Sequence, residues 1–326
     1  MSSTTADKMH HGDDYETPEY QAHESAQSLK ERIKFHYNVA SDYYYSLWGQ
    51  HIHHGYFTSP TESKEEAQVN LINYLLEISG LPKSISVLDV GCGIGGTSRF
   101  LAREHDCSVT GITISGNQVD LAKKLTQSET STDDDVDESP GVYTYPSGGN
   151  CRFVELDAEK MLPYFSADNN QPETRFDAVW ISEALSHLPD KPLFFRSAAE
   201  LLASGKASRL VIADWFKAPR LSPEQERADI QPIEDGMLLP PLCTVDDYVE
   251  MAKNAGLTVR QAPIDISREV AKTWDISWSL VSSPALWMFA ASQGRDGIAF
   301  LQAFRAMRRG YSNGTFLYAI MCFEKP

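Results

Sequence analysis

Residues Ser84 to Ala102 read SISVLDVGCGIGGTSRFLA, a short apolar strand that ends in an acid and runs through a glycine-rich turn into a helix. Gly91, Gly93 and Gly96 fit the spacing GxGxxG, whose glycines allow a tight turn, close approach of the backbone to a ligand and close packing of helix on strand. The stretch therefore predicts a strand-turn-helix unit that binds a nucleotide at the carboxyl edge of an α/β sheet.

The positions of the acidic residues distinguish two classes of nucleotide. A nicotinamide-binding domain has an acid about 20 residues after the glycines, which binds the ribose 2′-hydroxyl. The next strand here ends in VTGITIS without an acid, whereas Asp89 lies two residues before the first glycine. LDVGCGIGG thus resembles the first motif of methyltransferases that use S-adenosylmethionine (SAM). On the glycine spacing alone, a dinucleotide-binding or purely structural turn stays open.

The composition favours an enzyme that acts on a small molecule. The chain has 326 residues and a formal net charge of −16, which argues against nucleic-acid binding because phosphates are bound by clustered Lys and Arg. Its five cysteines are scattered without CxxC spacing, so we expect reduced thiols and no metal site. Neither a signal sequence nor a membrane-spanning apolar run is recognisable, and we expect a cytoplasmic protein without integral membrane association.

Strand and helix patterns alternate along most of the chain. Seven apolar stretches predict strands, at about residues 84–90, 108–114, 152–156, 176–181, 209–213, 257–262 and 316–323. Such alternation is typical of parallel sheets with helices on both faces. We predict an α/β fold, a doubly wound Rossmann-like and mostly parallel sheet of seven strands. An N-terminal helical lid and a C-terminal helical cap, inserted before the last strand, are predicted to cover it.

The segments outside the strands predict the domain organisation. Residues 1–28 are polar and predict a disordered tail, and residues 29–326 predict one domain. Its parts are the lid and first helix at 29–80, an acidic insertion at 126–150, and substrate cap elements at 218–243 and 263–314. The insertion contains TSTDDDVDES and PSGG and predicts an exposed loop; an acidic docking loop is the alternative.

Several further stretches resemble one family, in the same order along the chain. YNVASDYYYSLWGQHIHHGYF at 37–57 resembles the N-terminal cover of the tocopherol C-methyltransferases, relatives of the sterol and cyclopropane-type methyltransferases. ITISGNQ, VWISEALSHLPD, CTVDDYVEMAKNAGL and GYSNGTFLYAIMCFEKP come after it in register. The likeness covers about residues 30–326 apart from the acidic insertion. It implies a class I SAM-dependent methyltransferase, which releases S-adenosylhomocysteine (SAH).

The resemblance also implies which residues contact the cofactor. Asp89 would lie near the methionine ammonium, Thr113 and Gln118 near the ribose or adenosine, and Asp157 at the adenine edge. The full set implied is Tyr37, Asp89, Gly91, Gly93, Thr113, Gln118, Asp157, Ala158 and Ser182. From the residues alone, a helix N-cap is the alternative for Asp157, and an ordinary polar residue of a first helical turn is the alternative for Gln118.

Histidines and one acid are candidates for proton transfer. Glu183 and His187 stand four apart after the fourth strand, so in a helix they would share one face. An imidazole beside a carboxylate is a suitable general base near neutral pH. Among His51, His53 and His54 of the lid, we predict that His54 faces the substrate. The predicted catalytic residues are therefore His54, Glu183 and His187, with a structural role as the alternative for His187.

Aromatic residues predict the substrate pocket, because such pockets are largely apolar. The predicted lining residues are His53, Tyr56, Trp215, Trp278, Trp287 and Tyr311. Core packing is the alternative for aromatic residues in this arrangement.

Methyl transfer from a sulfonium requires alignment and exclusion of water, which an aromatic lid provides. We predict transfer to carbon or nitrogen, and less to oxygen, of a small, hydrophobic, partly aromatic metabolite of secondary metabolism. Use of bound SAM for cyclisation or rearrangement is one alternative. A membrane-surface protein is another, but WDISWSLVSSPALWMFAA lacks the basic face that an interfacial helix would have. The state of association, monomer or homodimer, is left open.

Overall fold

The computed structural model of the chain describes residues 29, 31, 45, 48–130, 141–166, 174–205, 208–281, 288 and 294–326, and within them eight strands form one sheet. In chain order the strands are β1 (Ser86–Val90), β2 (Ser108–Thr113), β3 (Tyr143–Thr144), β4 (Asn150–Glu155), β5 (Ala178–Ser182), β6 (Arg209–Lys217), β7 (Thr258–Asp265) and β8 (Phe316–Glu324). Across the sheet the order is β3-β4-β2-β1-β5-β6-β8-β7. The five central strands of this order, β4, β2, β1, β5 and β6, are parallel to one another. Strands β3, β7 and β8 are antiparallel to their neighbours.

Helices connect and cover these strands. They are α1 (Lys64–Ser79), α2 (Gly96–His105), α3 (Gly116–Thr130), α4 (Met161–Phe165), α5 (Lys191–Leu201), α6 (Pro223–Gln225), α7 (Gln231–Gly236), α8 (Val245–Asn254), α9 (Ser267–Val270), α10 (Lys272–Val281) and α11 (Arg295–Asn313). A π-helical turn, Glu226–Ile230, joins α6 to α7. The doubly wound, mostly parallel α/β fold predicted from the sequence is confirmed. No helix among the residues described is long and apolar enough to cross a membrane.

Capping residues set where two of these helices begin and end. The Ser63 side chain accepts a hydrogen bond from the backbone of Glu66, and the Glu66 side chain accepts one from the backbone of Ser63, which starts α1. Gly80, in the left-handed conformation, ends it. Thr244 and Asp247 start α8 in the same reciprocal way. Polar side chains at the first turns therefore fix the helix positions against the sheet.

The strand count differs from the prediction of seven, because the predicted loop at 126–150 is partly ordered. Residues up to Thr130 belong to α3, and the two residues of β3 pair with β4. The Tyr145 side chain is buried, and its backbone N–H donates to the Gly149 carbonyl at 2.8 Å. Residues 131–140 lie outside the described residues, as does the predicted disordered tail at 1–28.

Strand β6 is longer than predicted and contains Trp215, one of the predicted pocket residues. The prediction ended this strand at residue 213, but antiparallel pairing with β8 continues to Lys217, opposite Phe316. Trp215 is therefore inside the strand. Because side chains alternate along a strand, Trp215 shares a face with Val211, and both join the apolar cluster formed with α1, α10 and α11.

Described residues of the two predicted cap segments, 218–243 and 263–314, form ion pairs with each other. The Arg295 guanidinium donates to the Asp235 carboxylate at 3.0 Å, which ties α11 to α7. Arg309 of α11 donates to Asp229 of the π-helical turn at 2.6 Å. The part of the predicted helical lid between Gly49 and Ser63 is not helical; the chain there runs in bends and extended stretches.

Candidate active site

The glycine-rich turn between β1 and α2 shapes one half of the site. Gly91, Gly93 and Gly95 have φ angles of +71°, +55° and +78°, a region that favours glycine. A side chain on Gly91 would overlap Ala184, the second residue after β5. A Cβ on Gly93 would meet no described atom within 4 Å. The turn therefore leaves open space beside the Gly93 backbone.

Gly95 and Gly96 have roles that differ from those inferred from the GxGxxG spacing. A Cβ on Gly95 would lie 2.7 Å from the Phe153 ring of β4, so this glycine allows the close packing of turn on sheet. A Cβ on Gly96 would instead overlap the Gln50 carbonyl. The expectation that Gly96 serves helix-to-strand packing is wrong, because the chain before α1 lies directly on this residue.

The Asp89 side chain contacts α2, the helix that follows the glycine-rich turn. Its side chain is buried, and one carboxylate oxygen accepts a hydrogen bond from the Ser98 hydroxyl of α2 at 2.5 Å. Burial raises the pKa of Asp89 to about 6, although the hydrogen bond from Ser98 opposes the shift. Contact of this carboxylate with a cofactor ammonium stays a prediction.

The next strand end brings two predicted cofactor residues together. The Thr113 hydroxyl donates to the Gln118 side-chain oxygen at 2.6 Å, and both residues are buried. Thr113 ends β2, and Gln118 lies in the first turn of α3. This pair lies at the same sheet edge as Gly93, since neighbouring parallel strands end there.

The remaining predicted cofactor residues also come directly after strand ends. Asp157 caps a short 3₁₀ turn and accepts a hydrogen bond from the Glu159 N–H at 3.0 Å, which is the capping role that its sequence position left open. Ala158 is buried beside it. The Ser182 hydroxyl, at the end of β5, accepts the Trp180 indole N–H at 3.1 Å. Tyr37 lies outside the described residues.

A buried histidine and a buried glutamate form the other half of the site. The His54 ring Nδ1 donates to Glu183 Oε2 at 2.9 Å, and the His54 backbone N–H donates to Glu183 Oε1 at 2.6 Å. The Tyr318 hydroxyl donates to the same Oε1 at 2.8 Å. A carboxylate at Nδ1 accepts a hydrogen bond there, so the neutral form of the imidazole that fits this contact has its lone pair on Nε2. That Nε2 is buried and has no hydrogen-bond partner among the described residues.

Glu183 has an uncommon backbone conformation, and its side chain is an anion. Its φ of +54° is in the left-handed region, which costs about 1 kcal/mol for a residue with a side chain. Burial opposes ionisation, yet the electrostatic attraction of the neighbouring His54 and the hydrogen bonds from its ring and backbone hold the pKa of Glu183 below its ordinary value. Strain of this kind occurs where the surrounding contacts fix a functional group.

Glu183 and His187 do not lie on one helix, the arrangement from which their pairing was predicted. Leu185–His187 form a 3₁₀ turn, and Glu183 precedes it outside any helix, so the four-residue spacing does not place the two on one face. The His187 ring centroid lies 6.1 Å from that of Trp215. The imidazole that Glu183 binds comes instead from the lid, 129 positions earlier in the chain.

Aromatic rings surround His54, and we call Trp215, Trp274, Tyr311 and Tyr318 the ring cluster. Their centroids lie 5.9, 4.9, 6.4 and 4.9 Å from that of His54. Sequence reasoning did not assign Trp274 or Tyr318 to the site. The signal for Tyr318 was the antiparallel register, which places it opposite Trp215.

The hydrogen-bonding groups of the ring cluster are buried. The Trp215 indole N–H has no hydrogen-bond partner among the residues described. Burial raises the pKa of both Tyr311 and Tyr318, so their hydroxyls stay neutral. The cluster is therefore apolar in bulk, with a small number of hydrogen-bonding groups.

Other residues predicted to line the pocket have different surroundings. The Tyr56 ring packs on Tyr74 of α1, with 4.9 Å between centroids, rather than on the ring cluster. The Trp278 ring lies under the guanidinium groups of Arg305 and Arg308, at 5.2 and 5.8 Å. A place for these two rings in the substrate pocket stays a prediction, and Trp287 lies outside the described residues.

His53 is buried in the lid, next to the catalytic candidate. Its ring Nδ1 donates to the His54 carbonyl at 2.8 Å, and its ring centroid lies 5.2 Å from that of His51. Burial lowers the pKa of His53, and it lowers that of His51 to about 2. Both rings are therefore neutral.

Comparison with known proteins places this site in a family. Two family models match, one described as mycolic acid cyclopropane synthetase over residues 24–139 and one described as methyltransferase domain over residues 88–208. The crystal structure of the mycolic acid cyclopropane synthase CmaA1, complexed with SAH and CTAB, superposes with a TM-score of 0.71. The alignment covers 91% of this chain and 98% of that one at 18% identity, a likeness of fold.

Two curated relatives are closer in sequence. The 27-O-demethylrifamycin SV methyltransferase of Amycolatopsis mediterranei is 31% identical over 73% of this chain and 77% of its own length. The probable chloroplastic tocopherol O-methyltransferase of Oryza sativa subsp. japonica is 30% identical over 91% of this chain and 79% of its own. Identity sustained over most of both lengths shows that the chain belongs to the class I SAM-dependent methyltransferases, the family that the motif resemblance predicted.

Proposed function

We propose that this enzyme transfers the methyl group of SAM to a small, hydrophobic, hydroxyl-bearing acceptor and that His54 removes the proton of the hydroxyl. One observation carries the proposal. His54 donates through Nδ1 to the Glu183 carboxylate at 2.9 Å, which leaves a buried Nε2 lone pair inside the ring cluster. A neutral imidazole oriented by a buried carboxylate is the arrangement of a general base.

The residues at the sheet edge fit the cofactor that the family uses. SAM supplies an activated methyl group on a sulfonium, together with an ammonium, a carboxylate and a nucleoside. The open backbone at Gly93 leaves room for a ligand, and the buried Asp89 carboxylate is complementary to a cation. Thr113 and Gln118 supply polar atoms at the next strand end. We therefore assign the cofactor to this edge of the sheet. Glu183 lies nearby, because Gly91 of the turn packs closely against Ala184, the residue that follows Glu183.

The His54–Glu183 pair favours an acceptor that has to lose a proton. An amine needs only to arrive neutral, whereas a phenol or enol becomes a strong nucleophile when a base removes its proton. A phenolate is nucleophilic at its oxygen and at ring carbons, so one base serves both O- and C-methylation. Oxygen and carbon are therefore the favoured acceptor atoms, and nitrogen, expected from the sequence, is less well supported. The names of the rice and Amycolatopsis relatives, both O-methyltransferases, agree with this choice.

The ring cluster supplies the rest of the acceptor site. Its indole and phenol faces provide apolar contact and exclude water, which would compete for the base. The unpartnered Trp215 N–H would donate to a second oxygen on the acceptor, because a buried donor without a partner costs about 1–3 kcal/mol. The acceptor class is thus an aromatic or enolic compound with more than one oxygen.

Incubation with SAM that carries a ¹³C methyl group tests the proposal. The panel contains phenols, hydroquinones and enols of matched size, with the corresponding amines, and products are identified by mass and by ¹³C NMR. We expect one or more labelled methyl groups on oxygen or carbon of the hydroxylated compounds. Methylation of the amines alone would contradict the proposal, and a rearranged product of unchanged mass would support the use of SAM in cyclisation instead.

A matched pair of variants assigns the base. In His54→Asn the side-chain amide replaces Nδ1 as donor to Glu183, but no group replaces Nε2. We expect methyl transfer to fall by at least a hundredfold with SAM binding unchanged. His105→Asn, on a half-buried ring at the end of α2, is the control and should keep full activity. Full activity of His54→Asn would remove His54 from the proton transfer.

A further inference from the structure

Arg99 is a buried guanidinium that the proposed mechanism does not use. Its side chain is 2% exposed, and it lies in the first turns of α2. Nη1 donates to the Ile94 carbonyl in the glycine-rich turn at 2.6 Å, and Nη2 donates to the Gln50 side-chain oxygen at 2.6 Å. Nε donates to Glu129 near the end of α3 at 2.9 Å. One side chain therefore joins the turn, the lid and a third element.

The contact with Gln50 matters because Gln50 lies only four residues before the proposed base. We call residues 49–54 the lid strap; it begins one residue before Gln50 and ends at His54. The Gln50 carbonyl lies on Gly96, where a Cβ would overlap the strap backbone. The strap is held on its other side by Gln68 of α1, whose amide donates to the His53 carbonyl at 3.1 Å.

The charge on Arg99 is balanced within the same group of residues. Glu129 accepts hydrogen bonds from Arg99 and from Arg103 at 2.9 and 3.1 Å, and the Tyr145 hydroxyl donates to it at 2.9 Å. A guanidinium donates in several fixed directions at once, which a lysine ammonium on a flexible stem does not reproduce. Arg99 thus fixes the distance between the turn and the strap.

We propose that Arg99 is a positioning residue that fastens the lid strap to the glycine-rich turn and so sets how fast the bound cofactor is released. The strap carries His54, so the same contact sets the position of the base relative to the turn. The inference requires cofactor binding, which the family establishes, and does not depend on which acceptor is methylated.

Two variants loosen the strap at different points without changing the ligand-facing side of the turn. Gln50→Leu removes the acceptor for Arg99 at an exposed residue. Gly96→Ala introduces the Cβ that overlaps the Gln50 carbonyl, at a helical position where φ is not positive. Arg103→Leu is the matched control, because Arg103 shares Glu129 with Arg99 and is 46% exposed. Gln50→Glu keeps an acceptor for Arg99 and serves as the rescue variant.

The measurement is the dissociation rate of SAH by stopped flow, with its Kd by calorimetry and the Tm of the ligand-free protein. We expect Gln50→Leu and Gly96→Ala to release SAH about tenfold faster, the loss expected for a hydrogen bond to a charged group. The ligand-free Tm of Gln50→Leu should stay the same, whereas that of Gly96→Ala should fall because its Cβ overlaps backbone. Gln50→Glu and Arg103→Leu should release SAH at the wild-type rate. Wild-type release from both loosened variants would overturn the proposal. Equal acceleration by Arg103→Leu, or a fall in the ligand-free Tm of Gln50→Leu, would also overturn it, because either would indicate general structural damage.

Discussion

Two buried carboxylates at the ends of paired strands behave in opposite ways. Asp89, in β1, has its pKa raised to about 6 by burial, against one hydroxyl hydrogen bond from Ser98. Glu183, directly after β5, has its pKa lowered although burial opposes this, because His54 lies against it. Burial is common to both, so the partner decides the charge. The Glu183 carboxylate finds the partners that favour its ionised form within the protein itself. Ionisation of Asp89 would become favourable when a cation is bound nearby.

The largest effect is expected for Glu183→Gln, which changes the carboxylate on the acceptor side of the site. The Tyr318 hydroxyl and the His54 backbone N–H both donate to Oε1, so the new amide group would take the place of Oε2 and donate to His54 Nδ1. The ring proton would then move to Nε2, where it blocks the base. We expect kcat to fall about a thousandfold, measured by transfer of labelled methyl, while SAM affinity is unchanged.

Tyr318→Phe is the control for that variant. It removes one donor to Glu183 Oε1 and leaves the contact between Oε2 and Nδ1 intact. Activity should fall by less than about tenfold. A loss as large as that of Glu183→Gln would show that the general packing of the ring cluster, and not the tautomer of His54, controls the rate.

Asp89→Asn removes the ionisable carboxyl on the cofactor side of the site. A carboxyl whose folded pKa lies above its unfolded pKa stabilises the fold when protonated; that contribution is complete below about pH 4 and is lost as the pH rises through about 6. The variant should therefore be more stable than the wild type at neutral pH by on the order of 2 kcal/mol, with the difference shrinking towards pH 4. Chemical denaturation of the ligand-free protein over this range measures it.

The same variant should bind SAM more weakly, by about tenfold, because the anion is lost. Calorimetry at neutral pH tests this expectation. A stability difference that does not depend on pH would show that Asp89 is not the group with the raised pKa. Unchanged SAM affinity would place the cofactor ammonium away from Asp89.

Substitutions of two tryptophans should have smaller effects on kcat/KM. Trp215→Phe keeps an aromatic ring but removes the buried N–H, and we expect kcat/KM for the acceptor to fall about tenfold. Trp278→Phe should change it by less than about twofold, because that ring lies under Arg305 and Arg308, away from the ring cluster. Steady-state kinetics with one acceptor decides between them, and equal losses would contradict the placement of Trp278.

The sequence predicts local geometry at the sheet edge better than contacts between distant parts of the chain, and the distances along the chain explain why. The glycine-rich turn and the Thr113–Gln118 pair form between residues a few positions apart, so local motifs contain them. The contact of His54 with Glu183 spans 129 positions, and that of Tyr318 with Glu183 spans 135. The sequence therefore favours the nearest histidine after β5, whereas in the structure a 3₁₀ turn replaces the expected helix and His54 binds Glu183.

Side-chain direction was a second difficulty. The aromatic stretch after residue 270 predicts a pocket, but its composition does not show that Trp274 faces His54 while Trp278, one turn later, faces α11. Only the packing separates the two, since it brings the Trp274 ring to 6.2 Å from that of Trp215 and the Trp278 ring under Arg305 of α11. The length of β6 likewise depended on its pairing with β8, which is remote in sequence.

Whether His54 can act as the base depends on which of its ring nitrogens carries the proton. Long-range ¹H–¹⁵N correlation of the histidine rings, at mildly alkaline pH and without acceptor, distinguishes the two tautomers, and His54→Asn assigns the signal. We predict a proton on Nδ1 and a lone pair on Nε2 in the wild type, with the reverse in Glu183→Gln. A wild-type proton on Nε2 would contradict the account, because His54 would then have no lone pair to accept the proton of an acceptor.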